Sequence, residues 1–567
     1  MICQSYIIKF NPYEYRIRRN ATFDSSEIES SEKTAIPTKR FLALSAFLVM
    51  SATIISRILG LAREMAIANV FGASGKTDAY NLAYNIPEMV RTLVISGVLS
   101  SIFIPIFADF REKKSFEDAK RVTTELFSFT TLISVCTCVV GIILAPQVID
   151  LAQLISFGKV APETYKYAVD LTRVLFPMLI FVALSGLIQG ILNSMHDYRT
   201  PAFAPFIFNI TVIGTVLGFK LADPGFQNIY ILSFSVVIAD LLQMLVQIPA
   251  IKRFGFTLLK IPDFKHEAFV KFWELAPAAM LGYATMVINS FVDKSVAFGL
   301  IERGVTTLSI GFRVQQLPYS VFGVTIATVM FPSIAQDIAA GRLKEVRRSL
   351  DGGIRMLAFT IVPSSVFFMV LSEIVIEVLF GHGAFKDSPN AVLWAGEALA
   401  YYTLGILPAS ILLFLSRVFF SFHDTKTPLK AGAFMVLLNY GLDQVLGREY
   451  GVKGISMATS IVAYINCAIL IFLLRKRLPG IWVAFINKHL LKILFAGVIQ
   501  YFALAWILTK FHARIPNPSL KENIVLIVGT MVISVIVFCG ITIILRSREW
   551  FNIWEYLIKR KSKIIDG

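Results

Sequence analysis

Long apolar runs alternate with short polar turns along nearly the whole chain. About 20 apolar residues in a helix rising 1.5 Å per residue cross a hydrocarbon core of roughly 30 Å, so each run is long enough to span a bilayer. The pattern predicts fourteen spans, at 41–70, 79–109, 124–149, 164–192, 201–221, 227–251, 269–300, 305–338, 353–380, 391–422, 428–447, 452–474, 489–510 and 523–545. The expected fold class is an all-α polytopic membrane protein.

Composition agrees with the pattern. The 567 residues are 56% hydrophobic and 16% charged, with a mean hydropathy of +0.68, whereas soluble domains carry about 25% charged residues. The net charge of +16 is not a nucleic-acid surface, because the basic residues lie between apolar runs. They collect in alternate loops: Arg111, Lys113, Lys114, Lys120 and Arg121; Lys252, Arg253, Lys260 and Lys265; Arg342, Lys344, Arg347 and Arg348; Arg475, Lys476, Arg477 and Lys488. The intervening loops are poorer, with single lysines such as Lys76, Lys220 and Lys386. This alternation predicts that both termini are cytoplasmic. Four of the five cysteines (Cys136, Cys138, Cys467 and Cys539) lie in apolar runs and read as small hydrophobes. No zinc-type cluster, phosphate-binding loop or Ser-His-Asp pattern is visible. Residues 1–40 form a polar head without the apolar core and cleavage site of a signal peptide.

The chain repeats itself. His196-Asp197-Tyr198-Arg199-Thr200-Pro201 follows the fourth span and His423-Asp424-Thr425-Lys426-Thr427-Pro428 the tenth, an offset of 227 residues that Pro105 and Pro332 share. Six spans per unit is an even number, so the two units insert the same way round and the site is expected between them. The expected domains are a cytoplasmic extension at 1–40, an N-lobe at 41–260, a C-lobe at 261–480, two extra helices at 481–546 and a basic amphipathic tail at 547–567. The two His-Asp motifs read as helix caps in short turns rather than proton carriers.

Charges inside the spans are the strongest functional signal. Arg57, Arg63, Arg91 and Arg313 all fall within apolar runs. A charge near the bilayer centre costs at least ~2.5–3.5 kcal/mol on insertion scales, so such residues are expected to face a protein-lined cavity. Arginine suits a phosphate because its planar fork donates two hydrogen bonds and stays charged when buried. Arg57 and Arg63 are six residues apart and diverge unless the helix bends, with Gly60 as the natural place. The competing reading is that the arginines pair with internal carboxylates, for which Glu64, Asp78 and Glu88 are available; Arg313 has no such acid nearby in sequence.

A second polar set comprises Asp293, Asn439, Asp443 and Thr459, with Asn439 and Asp443 on one helical face. Hard oxygen donors suit a sodium ion, or a proton on one carboxylate. The alternative is an ordinary Asp293–Lys294 or Asp443–Arg448 pair. Asp240 and Glu397 are isolated and take no assigned role. The tail from Trp550 to Lys561 reads as an interfacial helix or a plain topology anchor.

The run Ser56-Arg57-Ile58-Leu59-Gly60-Leu61-Ala62-Arg63-Glu64, with Phe71-Gly72-Ala73 and Thr77-Asp78-Ala79, resembles the opening signature of the MurJ/MviN lipid II flippases of the MOP exporter superfamily. Ile86-Pro87, Arg91, Phe103-Ile104-Pro105, Arg313, Gln316-Leu317-Pro318, Gly323-Val324 and Pro332-Ser333 extend the likeness, which covers about residues 41–545. It implies two six-helix lobes around a central cavity, two further helices forming a lipid-tail groove, and no enzymatic reaction. The implied cargo is lipid II, the undecaprenyl-diphosphate-linked peptidoglycan precursor, carried from the inner to the outer leaflet of the bacterial plasma membrane. It also implies Arg57, Arg63, Arg91 and Arg313 as substrate-binding residues, with Glu64, Asp78 and Glu88 as acidic partners. Asp293, Asn439, Asp443 and Thr459 match the family's sodium site. No other cofactor is expected, Na+ or H+ being the coupling ion. Membrane lipids and the cell-wall synthesis machinery are the expected partners, and the chain is expected to be monomeric. Glu88, Ser96, Phe312 and Gln316 depart from the residues common in the family, where Asn, Glu, Asp and Glu are frequent. The alternatives are another MOP-type exporter, of polysaccharide lipids or of drugs, or a polyprenyl-phosphate-dependent glycosyltransferase. Four arginines argue against a cationic drug, and the short loops argue against the enzyme.

Overall fold

Backbone groups inside a bilayer must pair within their own segment, and the described residues of the fourteen predicted spans are helical apart from short breaks such as those at Leu144, Leu371 and Gly405. The computed structural model describes residues 39–93, 107, 110, 115–195, 197–223, 225–256, 284–285, 287–482, 487–516 and 518–550, with no strand among them. Nine described helices are long and apolar enough to cross a membrane, and Ala391–Leu404 with Ile406–Ser421, bent by 45°, makes a tenth. The other four predicted segments coincide with Lys39–Phe71, Gly75–Arg91, the helical residues 287–300 and Lys426–Tyr450. The core clusters and the candidate site all lie within one unit, beginning at Ala52.

Two spans differ from their expected limits. The segment predicted at 353–380 is two helices, Leu343–Val370 and Ser372–Phe380, separated at Leu371. The first starts ten residues early because its charged opening is amphipathic and buries Val346 and Leu350; just inside the predicted segment, Arg355 is buried as well and pairs with Asp351 at 3.2 Å and Glu549 at 3.3 Å. The third span starts early as well, at Phe116, where the Ser115 hydroxyl accepts from the Asp118 amide at 3.0 Å.

The repeat is visible in local geometry. Thr92 and Leu93 adopt π-helical backbone at the end of Gly75–Arg91, and Tyr319–Val324 does the same after Pro318; Thr92 and Tyr319 are again 227 residues apart. A proline lacks the amide that an α-turn requires, and a wider turn accommodates the loss. The His-Asp motifs behave as caps. Asp197 accepts from the Thr200 amide (3.2 Å) and hydroxyl (2.8 Å), and Asp424 from those of Thr427 (3.0 and 2.8 Å). His196 lies outside the described residues.

Apolar burial sorts the faces of the helices. Phe414, Phe419 and Phe538 fill one core cluster with Leu357 and Ile361. Along the last helix, Leu520–Ile544, Val525, Val528 and Ile536 are exposed, as expected of a face that meets lipid tails.

Candidate functional site

The two repeats close on each other at the end of the helices marked by Phe71, Gly75 and Gly304. Asp78, one turn into Gly75–Arg91, accepts from the backbone amide (2.8 Å) and hydroxyl (2.6 Å) of Thr306, and so caps the N-terminus of Gly304–Pro318 in the other repeat. Asn81 reaches the same hydroxyl at 3.3 Å, and the Ser388 hydroxyl accepts from the Ala73 amide at 2.9 Å. The Gln444 side chain donates to the Ile155 carbonyl at 2.6 Å. Backbones meet directly at Gly158 and Gly299, where a Cβ on Gly158 would strike the Gly299 backbone. Outside this seam lies a cavity of about 820 Å³ lined by both repeats, with Lys76, Lys159, Arg303, Glu163 and Glu302 on its walls.

Deeper along the same helices lie the charges. At 1.5 Å per residue, Arg63 is ~12 Å below Phe71 and Arg313 ~10 Å below Thr306. Glu64 binds both: its Oε1 is 2.6 Å from Arg63 Nη2 and its Oε2 is 3.1 Å from Arg313 Nε. Arg63 also donates to Asn209 Oδ1 at 3.3 Å and lies 5.0 Å from the Phe208 ring centroid. Arg313 keeps 34% of its side chain exposed against 13% for Arg63, so it is the more open of the two guanidiniums. Arg91 is ion-paired with Glu88 one turn earlier. Lys294 stands within electrostatic range of Arg313, Glu88, Glu64 and Asp293.

Asp293, Asn439, Asp443 and Thr459 form a buried oxygen cluster. Asn439 donates to Asp293 at 2.5 Å and to Asp443 at 2.9 Å, and the Thr459 hydroxyl donates to Asp293 at 3.1 Å. Asn439 Oδ1 and Asp443 Oδ1 are buried without a hydrogen-bond partner among the described residues. Orphaned buried oxygens in an all-oxygen set fit a hard monovalent cation. Neither the Asp293–Lys294 nor the Asp443–Arg448 ion pair forms among the described residues.

The expectations and the geometry diverge in three places. Arg57 is exposed beside exposed Ile55 and Ile58, without a partner among the described residues, and does not join the other three arginines. The helix runs unbroken through Gly60, so the bend that would have aligned Arg57 with Arg63 is replaced by two diverging faces. Arg313 does have a carboxylate partner: Glu64 reaches it from the other repeat, where a search for neighbours in sequence does not look. Of the family departures, Phe312 packs edge-on against Tyr402 at 5.6 Å, and the Gln316 carbonyl accepts from the Ser320 hydroxyl at 2.7 Å. Ser96 lies outside the described residues. Glu397 pairs with Lys453 at 3.3 Å. Lys294, Asn209 and Thr306 join the site without having been expected there. The charge-in-a-span criterion that selects the arginines also fits Lys294, while nothing in sequence marks Asn209 or Thr306.

A groove of about 310 Å³ opens between Leu343–Val370, Ala391–Leu404 and Lys488–Arg514, lined by Met369, Val370, Ala400, Tyr401, Tyr501 and Leu508. Its mostly apolar walls suit a hydrocarbon chain.

Comparison with known proteins gives this geometry relatives. The family model described as lipid II flippase MurJ matches residues 67–526. A probable lipid II flippase MurJ of Buchnera aphidicola subsp. Acyrthosiphon pisum is 29% identical, over 74% of this chain and 81% of that protein. The lipid II flippase MurJ of Burkholderia cenocepacia is 26% identical, over 82% and 91%. A solved structure of lipid II flippase MurJ in an inward closed conformation superposes with a TM-score of 0.68 at 25% identity, over 87% of this chain and 98% of that one. An inward-facing multidrug resistance MATE transporter of the MOP superfamily shares the fold at a TM-score of 0.62 and 14% identity, over 77% and 99%.

Proposed function

The chain belongs to the MurJ lipid II flippase family, and from that membership we propose that it carries lipid II from the cytoplasmic to the outer leaflet by alternating exposure of the arginine-lined cavity. It is a multi-pass membrane transporter and not an enzyme. The observation that carries the mechanism is the Arg63–Glu64–Arg313 bridge, which joins the two repeats through a single carboxylate.

A diphosphate crossing hydrocarbon alone loses its hydration without compensation. Arg63 and Arg313 replace water with fixed donors, and the diphosphate competes with Glu64 for them. When the anion takes both guanidiniums, it becomes the link between repeats that Glu64 was. The prenyl chain stays in lipid or in the groove beside Lys488–Arg514 while the polar head crosses. No bond is made or broken.

Sidedness follows from the basic loops. With the termini cytoplasmic, helix Lys39–Phe71 runs outward, and the Asp78–Thr306 seam lies at the outer face of the bacterial inner membrane. The arrangement is then closed to the outside, and opening it means parting Asp78 from Thr306 and Gly158 from Gly299. Asp293, Asn439, Asp443 and Thr459 would hold a sodium ion, which supplies charge balance for two buried carboxylates. The protein acts as a monomer among membrane lipids, handing its cargo to the cell-wall synthesis machinery. Depletion tests the whole reading: cells should accumulate lipid II on the inner side and lyse, and unimpaired export would refute it.

A further inference from the structure

The cavity outside the seam takes no part in the mechanism above. It holds about 820 Å³, inside the ~300–1,000 Å³ of small-molecule sites, and both repeats build it. The first repeat contributes Lys76, Lys159 and Glu163, and the second Glu302, Arg303 and Asp387. Asp78 reaches its wall as well, but is taken by Thr306.

Opposite charges around one space ordinarily pair. Here Glu302 and Arg303 do so loosely, at 3.7 Å, while Lys76, Lys159, Glu163 and Asp387 make no ion pair among the described residues. The Lys76 ammonium instead lies 5.2 Å from the Tyr167 ring centroid, which keeps it at the wall. Three cations thus face three acids that the fold does not use up. A simple anion gains from the cations and loses to the acids, and a simple cation does the reverse. A ligand carrying an ammonium and a carboxylate at opposite ends gains from both. A short peptide has those ends at a fitting distance: the cavity is ~9 Å across if equant, and three extended residues span roughly 10 Å.

The position of the cavity gives occupancy a consequence. Its walls belong to both repeats and meet beside the Asp78–Thr306 contact, so it keeps this shape only while the seam is shut. A ligand touching both walls binds the closed arrangement better than the open one, and by linkage favours it. Resting on the sidedness and the transport reading above, we propose that this outer cavity binds a short zwitterionic peptide, and that the bound peptide holds the seam shut and slows export.

The test titrates tri-alanine, and the same peptide N-acetylated and C-amidated, against the purified chain in nanodiscs. Wild type should bind the zwitterion roughly fivefold or more tightly than the capped form, the worth of two exposed ion pairs. Lys76→Ala and Asp387→Ala, which change exposed side chains, should each weaken tri-alanine binding about two- to fivefold. In right-side-out vesicles of an Asn81→Cys variant, saturating tri-alanine outside should slow labelling by an impermeant maleimide by about the same factor as the capped peptide loses in affinity. Equal binding of the two peptides by wild type, or no saturable binding, overturns the site without any variant having to fold. Affinity unchanged by both substitutions overturns it too. Binding that leaves both the labelling and the rate of lipid II export unchanged overturns the hold on the seam. A wild type that exports no lipid II even without peptide overturns the flippase reading alone, because binding and labelling are read without transport.

Discussion

Glu64 gives one carboxylate oxygen to each of two arginines from opposite repeats, Oε1 to Arg63 at 2.6 Å and Oε2 to Arg313 at 3.1 Å. Two like charges are thereby held together in a low-dielectric interior by the acid between them. The same acid is what an incoming diphosphate must replace, so the bridge is both the resting lock and the competitor for cargo.

Glu64→Gln removes the competitor while keeping the shape. The purified variant should bind undecaprenyl diphosphate about tenfold more tightly, equivalent to ~1.4 kcal/mol, and transport more slowly because release no longer has a carboxylate to reclaim the arginines. That gain is modest beside the ~3–5 kcal/mol associated with breaking a buried pair. Unchanged or weaker affinity, read by ligand titration, would separate Glu64 from cargo binding.

Thr306→Val deletes the hydroxyl that donates to Asp78 at 2.6 Å and leaves the backbone amide bond. A hydrogen bond to a charged group is worth ~1.5–3 kcal/mol, so the closed population should fall by roughly ten- to a hundredfold relative to the open one. In an Asn81→Cys background, labelling by a membrane-impermeant maleimide added from outside should rise accordingly. Labelling equal to that of the parent would show that this contact does not hold the seam.

Gly158 and Gly214 make a matched pair of glycine tests. A leucine at Gly158 has no room against the Gly299 backbone and should block closure, abolishing turnover while the protein still folds. Gly214, within helix Arg199–Ala222, has open space where a Cβ would sit, so alanine there should leave transport intact and not lower Tm. Full turnover in Gly158→Leu would mean that the seam opens and shuts without backbone contact.

Asp424 sits in a turn outside the spans. Desolvation pushes its carboxyl up, but the Thr427 amide and hydroxyl and the Arg477 guanidinium outweigh that push and hold it below the usual carboxylate range. A lowered value means its stabilisation is complete above about pH 4 and fades as the pH falls through the folded-state value. Asp424→Ala should cost about 1 kcal/mol of stability at pH 7, the typical worth of a cap, and progressively less in acid. A Tm difference from wild type that stays constant down to pH 3 would contradict the capping role.

Much of the fold was legible because membrane helices obey one strong rule: apolar length predicts crossing. That rule located the described spanning helices but not the division at Leu371, where the hydropathy is continuous and only the backbone changes. The repeat was legible at Asp197 and Asp424 because caps need particular residues at fixed offsets. The site was half legible. Charge in an apolar run marks Arg63, Arg91 and Arg313, but facing is set by helical phase, which leaves Arg57 exposed and out of line with Arg63 on an unbroken helix. Pairing across repeats, as between Glu64 and Arg313 or Asp78 and Thr306, depends on how two distant helices pack, and no local pattern encodes it.

The most direct measurement is outer-leaflet exposure of lipid II in vesicles containing wild type, Arg63→Ala or Arg313→Ala, each checked for folding by Tm. The bridge mechanism predicts that both variants lose most of their transport, with Arg313→Ala also losing affinity for undecaprenyl diphosphate. Wild-type exposure rates in the two folded variants would contradict it.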